Sequence, residues 1–337
     1  MDKQPYIPPY QITPVILTLV EELGEALGRI GPLDGTASPQ LRRNNRIRTI
    51  QASLAIEGNT LSLEQVTDIL EGKRVLGTPR EIQEVHNALA AYERLPYWSP
   101  ESVNDLLEAH SSLMTGLVAS CGVFRTSAVG IRRGQTVVHI APPAVRVPVL
   151  VRNLLEWLAN TSEHPLIASS ILHYELEFIH PFEDGNGRMG RLWQTLLLSQ
   201  WRPIFAMLPV ESVVRNRQQA YYEALRLSDQ QADASEFIAF MLEAILEATR
   251  DISDSSDQVS DQVSDQVHRL LNKMIGQARS ATQIMAELGL SHRPTFRKNY
   301  LHPALKLGLI EMTRPETPRA SNQKYRLTSA GRRIRDR

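Results

Sequence analysis

The chain has 337 residues, more than one typical domain of roughly 100–200 residues holds, so two or three folded units are expected. Hydrophobic residues make up 42% and charged residues 22%, which excludes a disordered or fibrous protein, and no run of about 18 apolar residues marks a membrane span. The formal net charge is zero but unevenly spread: residues 291–337 hold 12 Lys and Arg against 3 Asp and Glu, and residues 1–290 hold 25 against 34.

In chain order, Val15, Ile16, Leu19, Val20, Leu23 and Leu27 recur at helical spacing before the Gly31-Pro32 and Asp34-Gly35 stop signals, predicting a first helix. A second covers about 40–57, with Gly58-Asn59 as its stop and Glu57 in its last turn. Helical patterns continue over about 62–71, 79–94, 101–118, 146–160, 164–179, 188–201, 213–227 and 234–250. The single cysteine, Cys121, has no cysteine to pair with, and the N-terminal residues lack a basic-then-apolar leader, so a reducing, cytoplasmic setting is expected, with no membrane partner. Between the helices, Ser127 to Pro143 carries β-branched residues on both sides of Arg133-Gly134-Gln135 and predicts a β-hairpin whose edge could accept a visiting strand. The body is therefore read as all-α with a small hairpin.

Ser-Asp-Gln-Val occurs three times over 256–267, a polar linker or helical extension. Beyond it come helical patterns at 267–275, 280–289 and from about Ser291 to Leu307. Two candidate strands follow, Gly308–Met312 and Lys324–Thr328. Three helices and a basic hairpin predict a C-terminal winged helix-turn-helix domain. The expected organisation is an N-terminal helical region at 1–100, a core at 101–250, the repeat linker at 251–267 and the winged helix at 268–337.

Chemistry concentrates in His180-Pro-Phe-Glu-Asp-Gly-Asn-Gly-Arg-Met-Gly-Arg191. Gly185-Asn186-Gly187-Arg188 feeds an apolar helix containing Leu192, Trp193, Leu196 and Leu197, and a glycine turn at a helix start presents N–H groups and the positive dipole end to an anion. Arg188 and Arg191, three apart, share one side of the first helical turn and can clamp successive phosphates. Asp184 is a hard oxygen ligand suited to Mg²⁺, His180 can take a proton from an attacking hydroxyl, and Phe182 should point inward. Singly each has an ordinary structural explanation; together they supply positioning, charge neutralisation and a base, which phosphoryl and nucleotidyl transfer require. A zinc site is disfavoured, since His173 and His180 are seven apart rather than at helical ligand spacing.

The twelve residues resemble the complete signature of the Fic family of AMP-transferring enzymes, and the resemblance extends over roughly residues 5–250. It implies a helical fold with His180 as base, Asp184 on Mg²⁺, and Gly185, Asn186, Gly187, Arg188 and Arg191 on the phosphates of ATP. Related proteins with Lys at position 187 are similar to kinase-like toxins of the Doc type, so Gly187 favours AMP transfer. Ser53-Leu-Ala-Ile-Glu57-Gly-Asn resembles the family's inhibitory helix motif, in which Glu57, with Ser53, would pair with Arg191 and keep the γ-phosphate from its fork. The hairpin resembles the family's flap, with Val137, Val138, His139 and Ile140 holding the target segment by strand addition. Tyr222, beside Tyr221, lies where relatives line the adenine.

The reading is thus an autoinhibited, Mg²⁺-dependent protein adenylyltransferase acting on Ser, Thr or Tyr of a target protein and on itself, with inhibition within one chain or across a homodimer. Removal of AMP using Glu57 is the related alternative. The alternative of another class is a DNA-binding regulator that senses ATP, reading DNA through 268–337 with Thr295, Arg297 and Lys298 on the recognition helix and Arg314, Arg319, Lys324 and Arg326 on the wing.

Overall fold

The computed structural model describes residues 6–30, 39–133, 136–261, 264–274, 276–317, 320 and 322–335, with side chains at all of these except 39, 40, 130–133, 136–140, 253–261 and 333. Arg319 lies outside the described residues. The chain divides into two compact units, residues 1–26 with 45–249, and residues 27–44 with 250–337.

Helices α1 (Pro14–Ile30) and α2 (Pro39–Ile56) open the chain. They are followed by α3 (Leu63–Leu70) and α4 (Pro79–Arg94), both started by capping boxes in which Ser62 and Thr78 exchange hydrogen bonds with Gln65 and Glu81. Next come α5 (Val103–Met114), the hairpin β1 (Gly130–Arg133) and β2 (Thr136–Ile140), then α6 (Val147–Asn160), α7 (Pro165–Ile179) and α8 (Asn186–Trp201). The hairpin is antiparallel with an irregularity between Ile131 and Arg132. The pattern expected as one helix at 213–227 is two, α9 (Val210–Asn216) and α10 (Gln218–Gln231), broken at Arg217.

Helix α7 is buried on all sides, as an apolar helix must be at the centre of a helical layer. His173, seven residues before the 180–185 loop, bonds Gln194 at 2.7 Å, and a Cβ on Gly190 would meet the His173 ring. Helices α7 and α8 therefore run antiparallel at close approach and hold the loop between their ends. Helix α11 (Ser235–Asp261) contributes the fully buried Phe237, Ile238, Leu242, Ala244 and Ile245. Its helical hydrogen bonding continues into the Ser-Asp-Gln-Val repeats, realising the helical-extension option over their first part.

In the other unit, α12 (Asp265–Lys273), α13 (Ala281–Glu287) and the run α14 (Arg293–Phe296), a π-helical turn (Arg297–Leu301) and α15 (His302–Lys306) bury Val267, Leu270, Leu271, Ile284, Phe296 and Leu301 in one core. Strands β4 (Ile310–Met312) and β5 (Lys324–Leu327) pair antiparallel at the expected places. A third short strand that sequence reasoning missed, β3 (Arg279–Ser280), joins the other edge of β5. Helix α16 (Ser329–Arg335) closes the unit.

Candidate active site

The 180–185 loop is shaped from both sides. His180 caps α7 in the left-handed conformation, φ 50°. Gly185 starts α8 at φ +85°, where a side chain would be strained and would overlap Met114. Between them Phe182 is fully buried and stacks flat on His110, ring centroids 3.7 Å apart. The Asn186 carboxamide closes the turn, accepting from the Phe182 N–H and donating to the Phe182 carbonyl, both at 2.9 Å. Its side chain is thus spent on the loop, and what α8 offers an anion is the backbone N–H groups of its first turn, which have no intrahelical acceptor. His110 accepts from Gly122 N–H at Nδ1 (2.9 Å), so Nε2 donates to the Asp184 carbonyl (3.0 Å). Burial lowers the pKa of this imidazole, in keeping with its neutral form.

His180 is half-buried, and its Nδ1 lies 3.4 Å from the Glu177 carbonyl. A carbonyl can only accept, so the proton is assigned to Nδ1 and Nε2 keeps its lone pair. Asp184 Oδ1 accepts from Gly185 N–H at 2.6 Å, Arg80 Nη2 and Arg188 Nη2 lie 3.3 and 3.4 Å from the carboxylate, and the side chain is 45% exposed. Arg188 is buried and also faces Glu84 Oε1 at 3.6 Å, while its Nε has no hydrogen-bond partner among the described residues. Asn59, just past the end of α2, donates to Glu84 Oε2 at 2.8 Å.

Arg191 is buried and makes three contacts to α2 and the residue that follows it: Nε to Ser53 Oγ and Nη2 to the Ser53 carbonyl, each 3.1 Å, and Nη2 to Glu57 Oε1 at 2.7 Å. Burial alone would lower the Arg191 pKa, but the adjacent Glu57 charge and its hydrogen bond raise it on balance, so the guanidinium is locked in its charged form. Ser53, Glu57 and Arg191 therefore meet, although 134 positions separate Glu57 from Arg191.

Tyr221 is a core residue, its hydroxyl 3.2 Å from His173 Nε2, whereas Tyr222 is half-buried and within 3.3 Å of Gln218, which also donates to the Ile56 carbonyl at the end of α2. Val137, Val138, His139 and Ile140 form β2, and their side chains lie outside the described residues. Sequence reasoning did not find His110, Glu84 or Arg125; the last is a buried arginine that donates to four carbonyls around the loop. Nothing in the sequence marked them, because a polar residue's burial depends on what packs over it.

A family model described as Fic/DOC matches residues 100–198, and a second, the C-terminal domain of proteins like "filamentation induced by cAMP protein Fic", matches residues 265–328. A Fic family protein from Desulfovibrio desulfuricans G20, solved by crystallography, is 57% identical with TM-score 0.73, the match covering 96% of this chain and 98% of that one. This chain belongs to the Fic family. Among curated relatives of this Fic chain, the protein adenylyltransferase Fic of Aedes aegypti is 29% identical over 218 residues, 61% of this chain and 41% of that protein. The same-named protein of Culex quinquefasciatus is 29% identical over 240 residues, 68% and 45%. The chain thus matches less than half the length of these two relatives. The fold alone is shared with Caenorhabditis elegans Fic-1, residues 134–508, at 24% identity and TM-score 0.60, covering 72% and 74%. No described helix is long and apolar enough to cross a membrane.

Proposed function

We propose that this chain is an autoinhibited, Mg²⁺-dependent protein adenylyltransferase that transfers AMP from ATP to a Ser, Thr or Tyr hydroxyl of a target protein and of itself. The observation that carries the reading is the 2.7 Å pair between Glu57 and the buried Arg191 on α8, a helix whose start carries no side-chain cap and also bears the Arg188 guanidinium. In the reaction His180 Nε2 takes the hydroxyl proton as the oxygen attacks the α-phosphorus. The new O–P bond replaces the bond to the β-phosphate, and pyrophosphate leaves with its electron pair. The α8 N-terminus and Arg188 bind the phosphates, Arg191 serves the γ-phosphate when Glu57 withdraws, and the Glu57 carboxylate otherwise fills that fork. Among the described residues no cluster of three His, Cys, Asp or Glu is assembled. The half-exposed Asp184 carboxylate instead fits Mg²⁺ held by one carboxylate with phosphate oxygens and water, where the metal would neutralise phosphate charge.

The test is incubation of wild type, Glu57→Gly and His180→Ala with Mg²⁺ and ATP labelled at the α-phosphate, followed by denaturing gel and mass spectrometry. The expected result is a gain of one or more AMP on Glu57→Gly, at least tenfold above wild type, and none on His180→Ala. Absence of label on Glu57→Gly that still binds ATP overturns the reading. Loss of AMP from a premodified protein by wild type but not by Glu57→Gly would reassign the same site to removal.

A second reading concerns residues 268–337. No Asp or Glu occurs between Glu287 and Glu311, and Arg293, Thr295, Arg297, Lys298, His302 and Lys306 are exposed along the helical run 293–306, opposite the buried Phe296, Tyr300 and Ala304. A solvated helix ordinarily mixes both signs of charge, so a one-sign face preceded by α13 and a turn, with the β4–β5 hairpin after it, supports a winged helix bound to DNA phosphates. On the hairpin Arg314 and Lys324 are exposed and Arg326 pairs with Glu311. Retardation of a labelled duplex by the full chain, relieved by rising salt, is expected; no retardation at 50 mM salt sinks this reading and leaves a protein-docking role.

A further inference from the structure

We infer that Arg125 is a positioning residue that ties the His180 loop to the base of the β1–β2 hairpin, so that the base and the bound target segment keep a fixed separation. This inference rests on the transferase reading for its catalytic consequence, and on geometry for the link itself.

Arg125 is only 3% exposed. Its Nε donates to the His180 carbonyl at 2.7 Å, Nη2 to the Pro142 carbonyl at 2.6 Å and the Ile179 carbonyl at 3.3 Å, and Nη1 to the Ser127 carbonyl at 2.8 Å. Its own backbone N–H donates to the Pro181 carbonyl at 2.9 Å. Three of these acceptors belong to consecutive residues 179–181, at the end of α7, and the other two flank the hairpin, Ser127 before β1 and Pro142 after β2. No carboxylate among the described residues pairs with this guanidinium, and a buried cation without a counter-ion is costly. It is offset by carbonyl dipoles, including those at the negative end of α7 that no helical N–H can reach. A neutral side chain could fill the same space more cheaply, so what the charge contributes is the geometry of its fork, which joins four carbonyls at once.

The link serves His180 directly. A left-handed histidine persists only where its surroundings over-determine it, and here the carbonyl of that residue is gripped on one side while the Asn186 carboxamide closes the turn on the other. Proton transfer to His180 Nε2 requires the hydroxyl within about 3 Å, and a displacement of about 1 Å costs on the order of a hundredfold in rate. Arg125 touches neither Arg188, Arg191 nor the α8 N-terminus, so nucleotide binding should not depend on it.

The test places Arg125→Lys and Arg125→Gln in the Glu57→Gly background of the full chain. Expected are a fall of at least thirtyfold in the self-labelling rate at saturating ATP, with the Kd for ATP by calorimetry changed less than threefold. An unchanged rate, or rate and ATP affinity falling together, overturns the proposal. Amide exchange gives a readout that needs no activity: peptides spanning 124–145 and 176–185 should lose protection together in both variants while 186–201 keeps its own. Uniform loss over all peptides would mark a merely structural arginine and overturn the link, as would loss in only one of the two segments. If Glu57→Gly itself carries no label, the transferase reading fails and the exchange result alone decides the link.

Discussion

Gly187 has no side chain, and the Glu57 carboxylate occupies the space a side chain would take: a methyl there would overlap Glu57 Oε1 and crowd Arg191 Nη1 at 3.1 Å. The carboxylate is the movable partner, at the end of a flexible side chain that is 35% exposed, whereas Arg191 is fixed in the core. Gly187→Ala should therefore push Glu57 off Arg191 and raise self-labelling at least threefold over wild type, an increase that should vanish in the Glu57→Gly background. An equal increase in both backgrounds would mean that the methyl acts through the helix start and not through Glu57. At this scale His180, Asp184, Arg188 and Arg191 were readable because they sit within twelve consecutive residues, so spacing alone brings them together. Glu57 was readable only through its resemblance to a family motif, since a helix-end glutamate looks ordinary until its partner is known. Asn186 was expected on phosphate, but its carboxamide is used to close the turn, a competition that no spacing reveals.

Helix α7 carries two titratable groups whose burial opposes in sign. Glu175 is 2% exposed, and burial pushes its carboxyl up to about 7, while the Tyr6 hydroxyl donating at 2.7 Å pulls the other way. The native state thus holds that proton more tightly than the unfolded chain, so this contribution to stability is complete below the unfolded value near 4.5 and is lost as pH rises through about 7. Burial pushes His173 down to about 3, so its contribution is instead lost as pH falls below its ordinary 6.5. Glu175→Gln, which keeps an acceptor for Tyr6, should flatten the basic-side loss, narrowing the difference in urea-unfolding free energy between pH 5 and pH 8 by up to about 3 kcal/mol. An unchanged profile would show that Glu175 stays ionised in the fold. The helix itself was plain in the sequence because twelve of its positions are buried and mostly apolar. The break at Arg217 and the π turn at Arg297–Leu301 were not, since both interrupt an otherwise continuous apolar period by packing rather than by a glycine or proline signal.

For the whole molecule the charge asymmetry has a measurable consequence. If Arg293, Arg297 and Lys298 each neutralise a phosphate, their replacement by Ala should weaken duplex binding at least tenfold and lower the slope of log K against log salt by about 2–3. It should leave self-labelling of Glu57→Gly unchanged. Identical slopes for the two proteins would remove that helix from the contact.

Most of the helices, the β1–β2 hairpin, the basic C-terminal region and the glycine turn before α8 were determined by the sequence alone, because apolar period, glycine placement and charge are local properties written along the chain. Tertiary structure decided that Ser53 and Glu57 meet Arg191, that Glu84 and Asp184 share Arg188, and that Arg125 joins the hairpin to His180. These contacts bring together residues tens to more than a hundred positions apart, and only helix packing sets which polar groups lose water and must find one another.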